Sequence, residues 1–295
     1  VKLLRQEALK RFIDNGFPTK KMEKWRNSRM IECVNESFNI DKIENKKLDF
    51  CCIIRELDTE VITLTNGQFT EESLRVLGNG IVIGSTRRAM QKYPELFEKY
   101  FGTCNINDNN GFYDINTALW QDGFFIYAPK NAVGEKPIQI IKIIDEENNP
   151  FIQTRNLIIV ETNAQLQIID CDDSIKEQSS FVNSYTEIFI GENAQLENYK
   201  LQNLNDNSSL LNTNTAKQLA NSRLQTHTIS FNGGKIRNNI HVDIDGEGSE
   251  CNLYGLYLVD KTQHVDNQVK VNHNVANCNS NEKFKGILDN EATAV

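Results

Sequence analysis

The tetrapeptide Asn-Ala-Gln-Leu occurs at 163–166 and again at 193–196, thirty residues further on. Each copy follows an apolar burst, Leu157-Ile158-Ile159-Val160 in the first case and Ile188-Phe189-Ile190 in the second. A polar, Asn-bearing corner between two strands that returns at a fixed interval points to stacked turns of chain, not to a doubly wound sheet. Asparagine suits such corners because its short amide bonds nearby backbone and it tolerates the left-handed backbone region. The echo lies in an Asn-rich stretch from about Asn156 to Asn274, punctuated by short strand-like runs.

Those runs fall at 155–161, 164–170, 184–190, 195–202, 223–231, 235–244, 249–258 and 264–271, after Phe124–Pro129 and Ile138–Ile144. Ile240, Val242 and Ile244 alternate with His241 and Asp243, the period-two mark of a sheet with one wet face. Over 253–259 both alternating sets are apolar, which predicts burial of both faces. A weaker pattern predicts a helix over 212–222. Short strands with Asn, Asp and Gly corners allow a β-sandwich or a β-solenoid. The echo favours the solenoid, because coils must present like residues at like corners.

The first 130 residues read differently. Leu4, Ala8, Leu9, Phe12 and Ile13 share one side of a helix over 2–14, stopped by Asn15-Gly16. Trp25, in a short basic segment, is expected to plug the core and hold that helix. Strands are expected at 50–54 and 61–65, the second running into an Asn66-Gly67 hairpin turn. Helices are expected at 70–78 and 85–101, with Ser85 as N-cap and Pro94 restarting the second. The expected division is a mixed α/β region over 1–130 and a strand-rich core over 131–295.

The formal charge of −8 argues against a general nucleic-acid binder, which needs a concentrated basic face. Seven cysteines without a C-x-x-C pair fit a reducing cytoplasm better than a disulfide scaffold. No apolar run reaches the length of a membrane span and no signal-peptide pattern opens the chain. All four histidines, His227, His241, His264 and His273, lie in the strand-rich part, with Cys251 and Cys278 near them in sequence. None has close zinc-ligand spacing; stacking of neighbouring coils would let Cys251 face out beside His241, and an iron–sulfur or metal cradle there is the alternative to plain polar strand residues. Asp170-Cys171-Asp172-Asp173 lacks the glycine and terminal Glu of an EF-hand and reads as a solvated turn. Asn232-Gly233-Gly234-Lys235 and Asp245-Gly246-Glu247-Gly248 read as corners, since neither opens a helix as a phosphate loop does. No nucleophile motif or acid–base pair appears, so no catalytic residue and no metal ligand is assigned and the chain reads as a non-enzyme.

Three stretches together carry a resemblance. Gly16-Phe17-Pro18-Thr19-Lys20-Lys21-x-Glu23-x-Trp25 is similar to the opening of the SufD members of the SufB/SufD family. Asn116-x-Ala118-x-x-x-Asp122-Gly123-x-Phe125-Ile126-x-x-Pro129, with Pro137-Ile138, resembles the start of the family's core. Arg237-Asn238-x-Ile240-x-Val242-x-Ile244-x-Gly246-x-Gly248, then Leu253-Tyr254-Gly255, Asp266 and His273, resembles its middle. The resemblance implies a mainly β fold: a right-handed parallel β-helix (β-solenoid) preceded by a small α/β N-terminal domain. It also implies a non-catalytic scaffold of the SUF iron–sulfur cluster assembly system, partnered by SufB and the SufC ATPase or by a second copy, with a transient iron–sulfur cluster in the full complex. The family's later Cys-x-His-Gly-Ala-Thr motif does not occur in this sequence, and with Val1 at the start and Val295 after an apparent turn the chain is expected to be a fragment, incomplete at the C-terminus. The alternatives are a β-helix carbohydrate-active enzyme, which needs a carboxylate cluster along one coil face, and a purely structural homodimeric module.

Overall fold

The computed structural model describes residues 1–35, 38–40, 57–71, 73–104, 110–146 and 148–295. The strand expected at 50–54 lies outside the described residues.

Helix α1 (Lys2–Asn15) ends at Gly16, whose φ of 66° places it in the left-handed region. Its packed side is narrower than the spacing predicts: Ala8 is buried, but Leu9 and Ile13 face solvent. Two short 3-10 turns follow, Glu23–Trp25 and Arg29–Asn35. Strands β1 (Glu60–Thr65) and β2 (Gln68–Phe69) form the expected hairpin, with Asn66 and Gly67 both at positive φ, as a type I′ turn requires. The helix expected at 70–78 is absent among the described residues. Instead β3 (Arg75–Val76) pairs antiparallel with β4 (Val82–Ser85), so sheet pairing overrides a weak local preference. Helices α2 (Thr86–Lys92) and α3 (Pro94–Tyr100) form where expected; Ser85 Oγ accepts the Arg88 N–H at 3.2 Å and Pro94 opens the second helix. Helix α4 (Gly111–Leu119), which periodicity does not reveal, is capped by Asn110.

From Phe124 onward the chain winds as a β-solenoid of about six turns. One parallel stack contains β5 (Phe124–Ala128), β7 (Phe151–Val160), β9 (Phe181–Ile190), β11 (Ser209–Gln218), β13 (Lys235–Ile244), β15 (His264–His273) and β17 (Thr293–Ala294). The other contains β6 (Ile138–Ile144), β8 (Gln165–Ser174), β10 (Gln195–Asn203), β12 (Arg223–Asn232), β14 (Glu250–Val259) and β16 (Asn279–Leu288). Each coil is one strand from each stack. β4 extends the first sheet antiparallel to β5, and β1 extends the second parallel to β6. The strand β11 replaces the helix expected over 212–222, because Leu210 and Ala216 point into the core while both neighbouring strands pair in register.

The thirty-residue Asn-Ala-Gln-Leu spacing is the coil pitch. Gln165 pairs with Gln195 and Leu166 with Leu196. Asn131, Asn163, Asn193 and Asn221 occupy the same corner of successive coils, all with φ between 56° and 64°. Each donates its backbone N–H to the next coil, Asn163 to Glu192 O at 2.9 Å and Asn193 to Ala220 O at 2.9 Å. The side-chain amides stack as well: Asn193 Nδ2 donates to Asn163 Oδ1 at 3.1 Å, and Asn163 Nδ2 to Asn131 Oδ1 at 2.8 Å. Ala164 and Ala194 are small because they are buried inside the corner; Leu166 and Leu196 continue into the core.

The lumen is zoned. Along one edge an apolar column includes Ile158, Val160, Leu166, Ile168, Ile188 and Leu196. Along the other edge runs a smaller column with Ile144, Ile152, Val182, Leu204, Leu210 and Ile236. Between them lie buried polar residues, among them Thr154, Asn156, Asp170, Asp172, Asn198 and Lys200. The two faces of β14 differ, contrary to expectation: Cys251, Leu253 and Val259 are buried, whereas Leu256 and Leu258 stand outward and exposed.

Candidate functional site

The first and third resembling stretches, remote in sequence, meet in space, and the second binds the N-terminal part to neighbouring coils. Trp25 is buried, 5.2 Å from the Phe112 ring on α4, and the Arg237 guanidinium from β13 sits 3.9 Å from its ring centroid. Arg237 also ion-pairs with buried Asp266 of β15 and donates from Nε to Asn239 Oδ1 at 3.0 Å. Trp25 is thus the core plug that the sequence predicts, but its main partner is the solenoid. In the second stretch, Asn116 Nδ2 donates to the carbonyls of Thr154 at 3.0 Å and Asn183 at 2.8 Å, tying α4 to two coils. Gly123 lies against the Arg155 carbonyl oxygen so closely that any Cβ would overlap it. Asp122 accepts from Ser85 Oγ at 2.8 Å and from the backbone of Arg87 and Phe69, clamping α2 and the β1–β2 hairpin to the first coil.

A second buried charge centre joins the same two parts. Arg155 on β7 and Glu187 on β9 are both fully buried, with Nη2 to Oε1 at 2.8 Å. Glu187 also accepts from the backbone N–H groups of Gly102 (2.9 Å) and Cys104 (3.2 Å), and Arg155 lies 4.0 Å from the Tyr185 ring centroid. Burial, and then Glu187, push the Cys104 thiol well above the ordinary cysteine range.

Inside the lumen, Lys142, Asp170, Asp172 and Lys200 form a quartet. Lys142 lies 2.7 Å from Asp170 and 3.0 Å from Asp172; Lys200 lies 3.0 Å from Asp170 and also ion-pairs with Asp172. Burial would raise the Asp170 carboxyl, but the two ammonium groups outweigh it and hold it below the usual carboxylate range. The Asp170–Asp173 run is therefore a strand whose Asp170 and Asp172 face the lumen, correcting its reading as a solvated turn. The alternation Leu166, Ile168, Asp170, Asp172 carries that signal, as does Lys142 between Ile141 and Ile143. A smaller uncharged network continues it: Gln202 Nε2 donates to Asn238 Oδ1 at 2.7 Å and Asn238 Nδ2 to Asn267 Oδ1 at 3.0 Å.

The histidines do not converge. His227 stands on the outer face of the second sheet, stacked at 4.6 Å on Tyr199 and 5.1 Å from Tyr254. His241, on the first sheet, lines a cleft of about 190 Å³ with Lys24, Trp25, Arg237 and Lys270. His264 accepts the Arg29 N–H on Nε2 at 3.3 Å, which leaves Nδ1 protonated and 2.8 Å from Thr293 Oγ1. Burial lowers its pKa and favours this neutral form. His273 Nε2 lies 2.9 Å from Ser280 Oγ. Cys251 does not face out beside His241: it points into the lumen from the opposite sheet, and burial followed by Glu282 push its thiol up to about 12. That inward parity follows from its place two residues before Leu253. Among the described residues no group of three or more His, Cys, Asp or Glu side chains is placed to hold a metal ion. No helix there is long and apolar enough to cross a membrane. What these buried centres do chemically is hold charge: the Arg155–Glu187 and Arg237–Asp266 pairs and the lumenal quartet join coils to one another and to the N-terminal part.

Comparison with known proteins agrees with this architecture. Residues 143–295 match the family described as SUF system FeS cluster assembly, SufBD core domain, and residues 1–140 match the SufBD protein N-terminal region. An iron-sulfur cluster assembly SufBD family protein of Staphylococcus aureus (strain MRSA252) is 28% identical over 212 residues, covering 72% of this chain and 45% of its own length. One from Staphylococcus saprophyticus is 27% identical over 209 residues, covering 70% of this chain and 45% of its own length. The matched region therefore spans somewhat less than half the length of these curated relatives. With both the core and the N-terminal region matched, the chain belongs to the SufBD family.

Proposed function

We propose that this protein is a non-catalytic scaffold subunit of SUF iron–sulfur cluster assembly, of the SufD kind, acting with a SufB-like partner and a SufC-like ATPase. The observation that carries the reading is the family match over both the core and the N-terminal region. The docking of Trp25 on Arg237 supports it, because it makes the Gly16–Trp25 opening, which favours SufD over SufB, part of the same rigid body. The division at residue 130 is retained in this reading, with 1–130 as a clamp and 131–295 as the scaffold proper. Iron–sulfur clusters are cargo of the assembled complex, and the chain acts by geometry in the cytoplasm. A carbohydrate-active enzyme is a poorer reading: the carboxylates nearest to a cluster, Asp170 and Asp172, are buried in the lumen and neutralised by lysines. Co-purification of the intact protein with SufB-like and SufC-like homologues tests the proposal. A stable complex that passes a cluster to an apo acceptor is expected. A trio that neither assembles nor supports transfer refutes it, and a stable homodimer without heteromeric partners would favour the structural-module reading.

A further inference from the structure

A cleft of about 480 Å³ opens between α1, the β1–β2 hairpin, the start of α2 and the residues after α4. Arg5, Arg87 and Arg88 all line it, with Trp120 beside them. Among the described residues none of these three guanidiniums forms an ion pair with a carboxylate. Arg5 lies 4.3 Å from the Trp120 ring centroid and donates from Nη2 to the Trp120 carbonyl at 2.7 Å. The acid in the cleft, Asp122, is occupied by uncharged donors, the Ser85 hydroxyl and two backbone N–H groups. The cleft thus carries a net charge of about +2 in a chain whose overall charge is −8. Two buried donors beside it have no hydrogen-bond partner: Arg88 Nη1, and Nε1 of Trp120, whose ring packs with Val82, Phe97, Phe101 and Phe125. Arg87 stands exposed while Arg5 and Arg88 are half-buried, so guanidinium donors remain available to an oxyanion that supplies the missing counter-charge. Burial lowers the Arg5 pKa, the direction expected of a cation without a counter-charge.

We propose that this cleft is a binding site for a small phosphate-bearing molecule, with Arg87 and Arg88 gripping the phosphoryl oxygens and Arg5, stacked on Trp120, neutralising charge. Guanidinium forks match tetrahedral oxyanions bidentately. The volume exceeds what inorganic phosphate alone needs and falls within the range of small-molecule pockets. The negative charge of the whole chain makes the recognition short-ranged and sensitive to salt. The site is independent of the scaffold reading, since its charged residues lie in the N-terminal part, apart from the lumenal quartet.

The test is titration of the purified protein with inorganic phosphate, pyrophosphate and citrate at low salt, by calorimetry and by the indole N–H resonances. The chain has two tryptophans, so the Trp120 resonance is separable from that of Trp25. Saturable binding of phosphate and pyrophosphate is expected, with the Trp120 signal moving and the Trp25 signal still. Arg87→Gln/Arg88→Gln should weaken binding by about tenfold or more, with an unchanged circular dichroism spectrum and Tm; Lys283→Gln/Lys285→Gln should leave it intact. Absence of saturable phosphate binding by the wild-type protein, a Trp120 resonance that does not move, or equal affinity in the Arg87/Arg88 variant would each overturn the proposal. Citrate binding as tight as pyrophosphate would overturn the assignment to phosphate. If the double variant does not fold, the wild-type indole titration still decides.

Discussion

Replacing Arg155 with Met tests the claim that the N-terminal part is locked to the solenoid by a buried charge pair. The substitution keeps an unbranched apolar stem among Phe101, Tyr113 and Tyr185, whose rings lie within 5.3 Å of the guanidinium carbon. It leaves Glu187 fully buried with only the Gly102 and Cys104 N–H groups as donors. Removing one partner of a buried pair costs about 3–5 kcal/mol, because the other charge stays desolvated. Unfolding entropy of about 2.1 cal/mol/K per residue corresponds to roughly 0.6 kcal/mol/K for a chain of this length, so Tm should fall by about 5–8 °C. The informative comparison is Arg155→Met/Glu187→Gln, which removes both charges yet keeps an oxygen for the two backbone donors. It should be more stable than Arg155→Met alone by about 1–3 kcal/mol, measured by thermal and urea unfolding followed by circular dichroism. A double variant no more stable than the single one would refute the reasoning. It would mean that the guanidinium acts through stacking on Tyr185 and not through its charge.

Other parts of the structure give sharper local tests. Asn193→Ala should destabilise by about 1–2 kcal/mol, since alanine must adopt a left-handed φ and the amide ladder is cut, whereas Asn193→Gly should cost less; urea midpoints compare them. Lys200→Met leaves two lumenal aspartates facing one lysine and should cost about 3–5 kcal/mol, and adding Asp172→Asn should restore part of it. His264 has a folded pKa below its unfolded value, so the folded state binds fewer protons in between. Its stabilising contribution is therefore complete above about pH 6.5 and declines as the pH falls through that window. Protonation also removes the Nε2 acceptor of the Arg29 N–H. Proteolysis within the 26–35 segment should accelerate as the pH falls below about 6.5 in the wild type, and His264→Gln should flatten that dependence.

Much of the solenoid was legible because its information is local and repeated. Asn163 and Asn193 mark a corner by residue type alone, and Leu166 and Leu196 mark the inward face by parity. Parity also held the message about Asp170 and Asp172, but their carboxylates look like a solvated turn until Lys142 and Lys200 are placed across the coils. Partners 28 and 30 residues away leave no trace in a window of ten. The same limit explains β11, whose Asn-Thr-Asn-Thr run has little strand character of its own and is held by pairing with β9 and β13. Helix α4 hides because it is short and its polar residues, Asp114, Asn116 and Thr117, are buried with its apolar ones. The phosphate cleft was invisible for another reason: Arg5, Phe69, Arg87 and Trp120 come from four separate segments.

The polar lumen has a consequence for how such a body can act. In a solenoid whose interior is only apolar, a strand shifted by two residues keeps its pattern of inward and outward faces, so coils are free to slip. Here a two-residue shift of β10 against β8 would move Lys200 out of line with Asp170, its cross-strand partner, and strand buried charges. Asn238 would lose Gln202 by the same shift, and a two-residue shift of β13 in the first sheet would take it from Asn212 and Asn267. The register of successive coils is therefore set electrostatically as well as by apolar packing. On the outside, the N-terminal part grips several coils at once: Asn116 holds β7 and β9, Glu187 holds the backbone between α3 and α4, Trp25 holds β13, and the Arg29 N–H holds β15. A displacement imposed at one end cannot be absorbed by sliding between coils without breaking several of these contacts together. It must pass along the axis as motion of the whole body, which is the property that a subunit transmitting a partner's movement requires.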